Sequence, residues 1–276
     1  MINYFFIFAI FSSVPASETI IEDPSMEKEK LVKFYKNKFP EKNISEYIYG
    51  AMMFSNDAKS QFNSIMAFIP FSNEIERGKK IWNKPFKNGK TFSDCFKRGG
   101  IGQAANFPKY NSATDTVVTF EMEINNCLSK NGEKTFKYND VDTMGVVTAY
   151  ARKLSDGFPT NIEITHAGAV KKFNKGRETF FKRIGQLNLS CASCHITYAG
   201  NFFRDERISP AIGQTPNYPV FRGGEFLFTL HMRYQRCMEA MRANPFKAGS
   251  SELNNLEYFH SYLSNELPLN ASVYRK

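Results

Sequence analysis

Apolar positions along the chain fall into short helical stripes divided by polar stretches rich in Gly, Pro and Asn. Residues 147–159 carry apolar side chains at helical spacing and stop at a proline, and residues 256–268 repeat that design. Shorter helical runs open on Gly78 and Gly176, each with an aromatic residue four positions later, Trp82 and Phe180. A third pair is 121–127 and 231–237, in which Met122 and Met232 each stand five residues before a cysteine. Strand-like alternation is rare; 116–120 and 162–165 are the candidates.

Three matched pairs in the same order predict two related units in a mainly α chain with long loops. Gly157 and Pro159 mark a turn between them. The expected organisation is a first unit over 51–160 and a second over 161–276. A charged extension with short helices, 17–50, precedes them. The apolar run 4–11 is too short to span a bilayer. Val14-Pro15-Ala16 fits the small-residue cleavage rule, so 1–16 reads as a signal peptide, although its only positive charge is the α-amino group. An exported chain with no membrane span after cleavage is therefore expected.

Composition excludes a disordered chain, because 42% of the 276 residues are hydrophobic and 15% aromatic. The net charge of +9 favours anionic partners or a solvated basic surface. No helix-turn-helix, RNA-binding or zinc-finger pattern accompanies it, which argues against nucleic acid. Five cysteines cannot all pair with one another, so each needs its own assignment.

Cys191-Ala-Ser-Cys194-His195 is a C-x-x-C-H motif. Its two thiols can form thioethers to haem vinyl groups, and the adjacent imidazole then meets the iron. Export agrees, since c-type haem is attached outside the cytoplasm. Aligning the two units puts Cys95 where Cys194 stands, Phe92 where Cys191 stands and Phe96 where His195 stands. The first unit has thus lost the motif, and one covalent c-type haem is expected.

Cys237 could be inert, pair with another molecule, bind iron or act as a nucleophile. Its match to Cys127 places it a fixed distance from the haem turn, which favours the sixth iron position. His231 is the main competitor for that position, and Met232 and Met238 are weaker ones. His166 and His260 read as surface or satisfied core residues. Arg233 lies one helical turn before Cys237, where a guanidinium would favour a thiolate and hold an anion. The first unit has Glu123 there. Arg236 and Arg242 could add positive field.

The chain resembles the SoxA subunit of the SoxAX cytochrome complex of thiosulfate oxidation, from about residue 45 to the end. The likeness rests on Tyr47-Ile-Tyr-Gly50, on Gly78 to Trp82 and on Gly185-Gln-Leu-Asn-Leu-Ser before C-x-x-C-H. It also rests on Arg233-Tyr-Gln-Arg-Cys237, on Arg242-Ala-Asn-Pro-Phe-Lys-Ala-Gly249 and on Leu256-Glu-Tyr. The resemblance implies two tandem cytochrome c-like domains and the one-haem type of subunit. It implies a disulfide between Cys95 and Cys127, a persulfide-modified Cys237 as iron ligand and active site, and substrate binding by Arg233. The activity implied is an L-cysteine S-thiosulfotransferase, which joins thiosulfate oxidatively to a cysteine of the carrier SoxYZ. A small cytochrome, SoxX, is the implied partner, and the periplasm the implied compartment. The alternative from the motif alone is a monohaem electron-transfer cytochrome without sulfur chemistry.

Overall fold

The computed structural model describes residues 23–275. The expected signal peptide and its cleavage point lie outside that range. In chain order the elements are α1 (Pro24–Lys38), an irregular helical stretch Ile44–Phe54, α2 (Asn56–Ala67), α3 (Ser72–Trp82) and the one-turn α4 (Phe92–Cys95). There follow the hairpin β1 (Lys109–Asn111) and β2 (Thr116–Val118), then α5 (Phe120–Lys130), α6 (Val146–Lys153) and α7 (Ala167–Phe181). The rest comprises β3 (Phe202–Phe203), β4 (Glu206–Arg207), β5 (Val220–Arg222), β6 (Phe226–Phe228), α8 (Leu230–Ala240), α9 (Ser251–Tyr262) and β7 (Val273–Arg275). The fold is mainly α, as the periodicity predicts. Among the described residues no helix is long and apolar enough to cross a membrane.

The elements repeat in space as the stripes repeat in sequence. The α3 helix packs on α6, and α7 packs on α9. Each pair closes on a glycine: a Cβ at Gly78 would lie 1.9 Å from the Val146 carbonyl oxygen, and one at Gly176 would lie 1.9 Å from that of Asn255. No other residue lets the backbones come so near. In both halves a hairpin then delivers a threonine N-cap: the hydroxyls of Thr119 and Thr229 accept from the N–H groups of Met122 and Met232, both at 3.2 Å. The two units also meet at a bridge between Pro159 and Pro268.

Two expectations change, at 116–120 and at 162–165. In the described part of 17–50 the helices are α1 and the start of the irregular stretch from Ile44. Leu31 and Tyr35 of α1 are buried in the core of the second half, beside Phe173, Phe180 and Phe259. In 116–120, β2 ends at Val118 and Phe120 already opens α5. Residues 162–165 form no strand. Ile162 is buried, but its N–H donates to Asn265 Oδ1 at 2.8 Å and its carbonyl accepts from Asn265 Nδ2 at 2.9 Å. One amide side chain supplies what a neighbouring strand would.

A buried polar cluster joins the halves. Glu121 of α5 and His231 of α8 hold matching positions, and Tyr138 stacks on the His231 ring at 4.8 Å. His231 Nε2 lies 3.0 Å from the Glu257 carboxylate of α9. Burial, then the nearby Glu257 charge, raise the Glu121 pKa. A carboxyl whose pKa rises on folding stabilises the native state at low pH. That contribution fades as pH climbs through the raised value.

Gly176→Ala should therefore destabilise the protein by the upper part of the ~1–3 kcal/mol typical of overpacking, read as a lower urea midpoint. Glu121→Gln should melt higher than the parent at pH 8, and the gap should close as pH falls toward the ordinary glutamate range. A gap independent of pH would contradict the charge argument.

Candidate haem and sulfur site

The C-x-x-C-H segment is a single tight turn capped by its own serines. Ser193 N–H donates to Ser190 Oγ at 3.0 Å, and Ser190 N–H donates to Ser193 Oγ at 3.1 Å. The approach to this turn is locked onto the end of α8. Gly185 has φ of 68°, and a Cβ there would fall 2.1 Å from the Met241 carbonyl oxygen. The N–H groups of Gln186 and Leu187 donate to the carbonyls of Arg242 and Met241 at 3.4 and 3.3 Å. The Gly-Gln-Leu-Asn-Leu run thus fixes where the haem turn sits relative to the helix that carries Cys237.

His195 is held in one tautomer. Its Nδ1 lies 2.9 Å from the Ser209 carbonyl, which can only accept, so the proton is assigned to Nδ1 and the Gln214 amide is read with its oxygen toward the ring. The Gln214 amide lies 2.7 Å from the same nitrogen and 2.7 Å from the Ser209 hydroxyl. Nε2 keeps its lone pair. Burial pulls the His195 pKa down to about 4, with the Arg233 charge adding to the effect, so the imidazole is neutral at pH 7. The backbone of the turn is braced from α1: the Tyr35 hydroxyl donates to the His195 carbonyl and accepts from Ala211 N–H at 2.9 Å. Lys38 donates to the Ile196 carbonyl at 3.3 Å.

Two adjoining cavities, about 410 and 650 Å³, share Cys191, His195, Arg233 and Cys237 in their walls. Phe180, Tyr234 and His260 line the first, and Cys194 and Met241 the second. Arg233 feels Cys237 as the largest influence on its pKa, which rises. Among the described residues it has no carboxylate in ion-pair range. Two free thiols, a neutral imidazole with an open nitrogen, a third thiol and an aromatic-lined cavity are a donor set that fits a c-type haem.

The first half shows the same frame closed. Cys95 and Cys127 form a disulfide with their Cα atoms 5.8 Å apart, tying the α4 turn directly to α5. Phe92 and Phe96 pack on Trp82 at 5.3 and 5.2 Å. Glu123, which matches Arg233, accepts from Asn126 at 3.1 Å. Aromatic rings fill the space that the second half leaves to its cavities.

The competing ligands stand elsewhere. Gly249 N–H donates to His231 Nδ1 at 3.0 Å and Glu257 takes its other nitrogen, so this imidazole faces the junction between the halves. Met238 is buried in core, and neither it nor Met232 lines the cavities. His260 is a satisfied core residue: its Nε2 donates to the Ala211 carbonyl and its Nδ1 accepts from the Tyr234 hydroxyl, both at 2.9 Å. His166 is exposed before α7. Arg236 pairs with Glu239 at 2.9 Å, and Arg242 is exposed.

Five residues of the site escape the sequence reading: Tyr35, Ser209, Gln214, Tyr218 and Arg275. A signal existed for two of them. Gly102-Gln103-Ala-Ala-Asn106-Phe107-Pro108 repeats as Gly213-Gln214-Thr-Pro-Asn217-Tyr218-Pro219, with Gly, Gln, Asn and Pro identical and an aromatic residue before the proline in both. In both, the Asn side chain donates to the carbonyl of the glycine four residues back, at 3.2 and 2.7 Å.

A family model described as SoxA/TsdA, cytochrome c domain, matches residues 77–160, in the half without the haem motif. The chain is 37% identical to the L-cysteine S-thiosulfotransferase subunit SoxA of Chlorobaculum tepidum, over 88% of this chain and 85% of that one. It is 32% identical to the same subunit of Allochromatium vinosum, over 96% and 95%. Among solved structures it is similar to SoxXA from P. pantotrophus, with a TM-score of 0.69 and 27% identity over 75% of this chain and 79% of that one.

Tyr35→Phe should cost about 0.5–1.5 kcal/mol, the net worth of lost hydrogen bonds, because the Ala211 N–H and the His195 carbonyl keep their direct bond at 3.1 Å. Chemical denaturation of the haem-loaded protein measures it; a cost within error of zero would show that α1 does not brace the turn.

Proposed function

Since the chain belongs to the SoxA family of cytochrome c-like L-cysteine S-thiosulfotransferase subunits, we propose that Cys237 is its active-site sulfur and that one c-type haem serves it. The observation that supports this most is the meeting of Cys191, His195, Arg233 and Cys237 in the walls of two adjoining cavities. Cys191 and Cys194 would hold the haem by thioether bonds, with His195 Nε2 and Cys237 Sγ as the iron ligands. When bound, the haem supplies a redox centre that accepts electrons from the site. Residues 161–276 form the haem domain in this reading, and 51–160 a cytochrome c-like domain without haem.

The chain's own residues account for the rest. Ser209 holds the proton on His195 Nδ1 and so keeps Nε2 available. Arg233, free of a carboxylate partner among the described residues, offers its guanidinium fork to the sulfonate end of thiosulfate. Cys237, as thiolate or persulfide, holds the sulfur that is being transferred. In the net reaction a carrier cysteine gives up its proton, a sulfur–sulfur bond forms to thiosulfate, and two electrons leave. The carrier is of the SoxYZ kind, reaching the cavity with a cysteine-tipped arm. A SoxX-like small cytochrome is the partner subunit, and the periplasm is the compartment after loss of residues 1–16.

Cys237→Ala should lower thiosulfate-dependent turnover by ~100-fold or more while covalent haem is retained. Arg233→Ala should raise KM for thiosulfate about tenfold, the loss expected for one charge-assisted contact, with haem content unchanged. Full activity in Cys237→Ala would remove Cys237 as the active-site sulfur, and an absorption spectrum of His/Met ligation in a parent without thiosulfate-dependent turnover would leave the monohaem electron-transfer reading instead.

A further inference from the structure

Arg275 lies on β7, which pairs in parallel with β5 and brings the end of the chain into the first cavity. Two of its donors go to backbone: Nη2 donates to the Ile48 carbonyl at 2.7 Å, and Nη1 to the Tyr274 carbonyl at 3.2 Å. The guanidinium also sits 5.5 Å from the Phe62 ring centroid. Among the described residues no carboxylate lies in ion-pair range, and the Tyr218 phenol in the same cavity is kept protonated by burial. Burial draws the Arg275 pKa down to about 10, so the cation is held at a cost.

The other arginines of that cavity are provided for. Arg222 pairs with Glu206 at 2.8 Å. Arg207 stacks over Phe54 and Phe202 at 5.1 and 4.8 Å. Arg233 faces Cys237. Arg207 and Arg275 have neither a carboxylate nor the thiol in range among the described residues, and of the two only Arg275 is confined to the first cavity, since Arg207 lines both.

Two anions could balance Arg275: a carboxylate of the haem or the sulfonate of thiosulfate. Placement favours the first. Arg233 and Cys237 line both cavities, whereas Arg275 does not reach the second. Cys194, one of the attachment thiols, lines only the second cavity, whereas Arg275 lines only the first. In a haem the vinyl and propionate groups leave from opposite edges of the macrocycle. A cation that shares the first cavity with Cys191 but stands apart from Cys194, in the same continuous space, is placed to meet the propionate edge.

We infer that Arg275 is the counter-ion of a haem propionate, carried there by the pairing of β7 with β5. It is a positioning residue and not a catalytic one. The inference rests on the haem reading of Cys191 to His195, and is independent of whether Cys237 performs the sulfur chemistry.

The test uses the full chain. Haem staining of the parent comes first, since a parent without covalent haem would overturn the haem reading and this inference with it. With haem present, Arg275→Gln should shift the propionate-bending band in resonance Raman. It should also lower the reduction potential, because removing a positive charge beside the carboxylates favours ferric iron. KM for thiosulfate should stay within twofold. Arg275→Lys should recover most of the potential. An unchanged band and potential with KM raised tenfold would assign Arg275 to thiosulfate and overturn the inference; so would no change in any readout. If Arg275→Gln does not accumulate, the Raman band of Arg275→Lys decides: the loss of the planar fork should move it, and an unmoved band overturns the inference.

Discussion

The site depends on the docking of the segment before the haem motif against the C-terminal end of α8. Gly185 comes so near the Met241 carbonyl that a side chain is excluded. Gln186 and Leu187 complete the seam with two backbone bonds. Because the motif turn follows within a few residues and Cys237 lies one turn up the helix, this seam sets the separation between haem-attachment thiols and the third sulfur. Such short-range ties are stiff. A site that needs a macrocycle seated between two protein groups gains from having their spacing fixed before the macrocycle arrives.

The first half shows what the same frame does without that space. Its two cysteines hold the positions of Cys194 and Cys237, yet they bond to each other. A direct sulfur–sulfur link and a haem between the same two positions exclude one another. Phe92 and Phe96 then complete a stack on Trp82 where C-x-x-C-H would otherwise stand. The rings convert a cofactor pocket into ordinary core, with apolar area in place of ligand bonds. The half with the disulfide shares the buried cluster of Glu121, His231 and Glu257 with the half that carries C-x-x-C-H.

What the sequence revealed follows the range of each interaction. C-x-x-C-H is legible because thioether attachment demands neighbours in sequence. Cys237 and Arg233 are legible only through the repeat, which transfers a position from one unit to the other. The repeat also fixes the two close helix pairs, since Gly78 and Gly176 mark both contacts. Tyr35 is invisible by these means: its partners His195 and Ala211 are 160 and 176 residues away. Arg275 is hidden for the same reason, since its place is set by a parallel pairing across the chain. The strand expected at 162–165 fails instructively. Burial of Ile162 gives an apolar signal, but the backbone partner is the Asn265 amide, and no alternation rule encodes a side chain that imitates a strand.

The distribution of charge gives the arrangement its chemical sense. Most arginines at the cavity rim are neutralised within the protein, by Glu206, by Glu239 or by aromatic faces. Arg233 and Arg275 have no carboxylate in ion-pair range among the described residues, and both are half-buried. A half-buried guanidinium has given up part of its solvation, which an anionic ligand returns. Arg233, one turn from Cys237, lines both cavities and Arg275 only the first, which separates two anionic tasks. The nearer suits a substrate that comes and goes, because its partner must be replaceable. The farther suits an anion that stays, because it is fastened to the backbone of Ile48 and Tyr274 and stacked on Phe62. Rigid placement is worth most for a permanent ligand, and a side chain tied at three points is poorly suited to following a transient one.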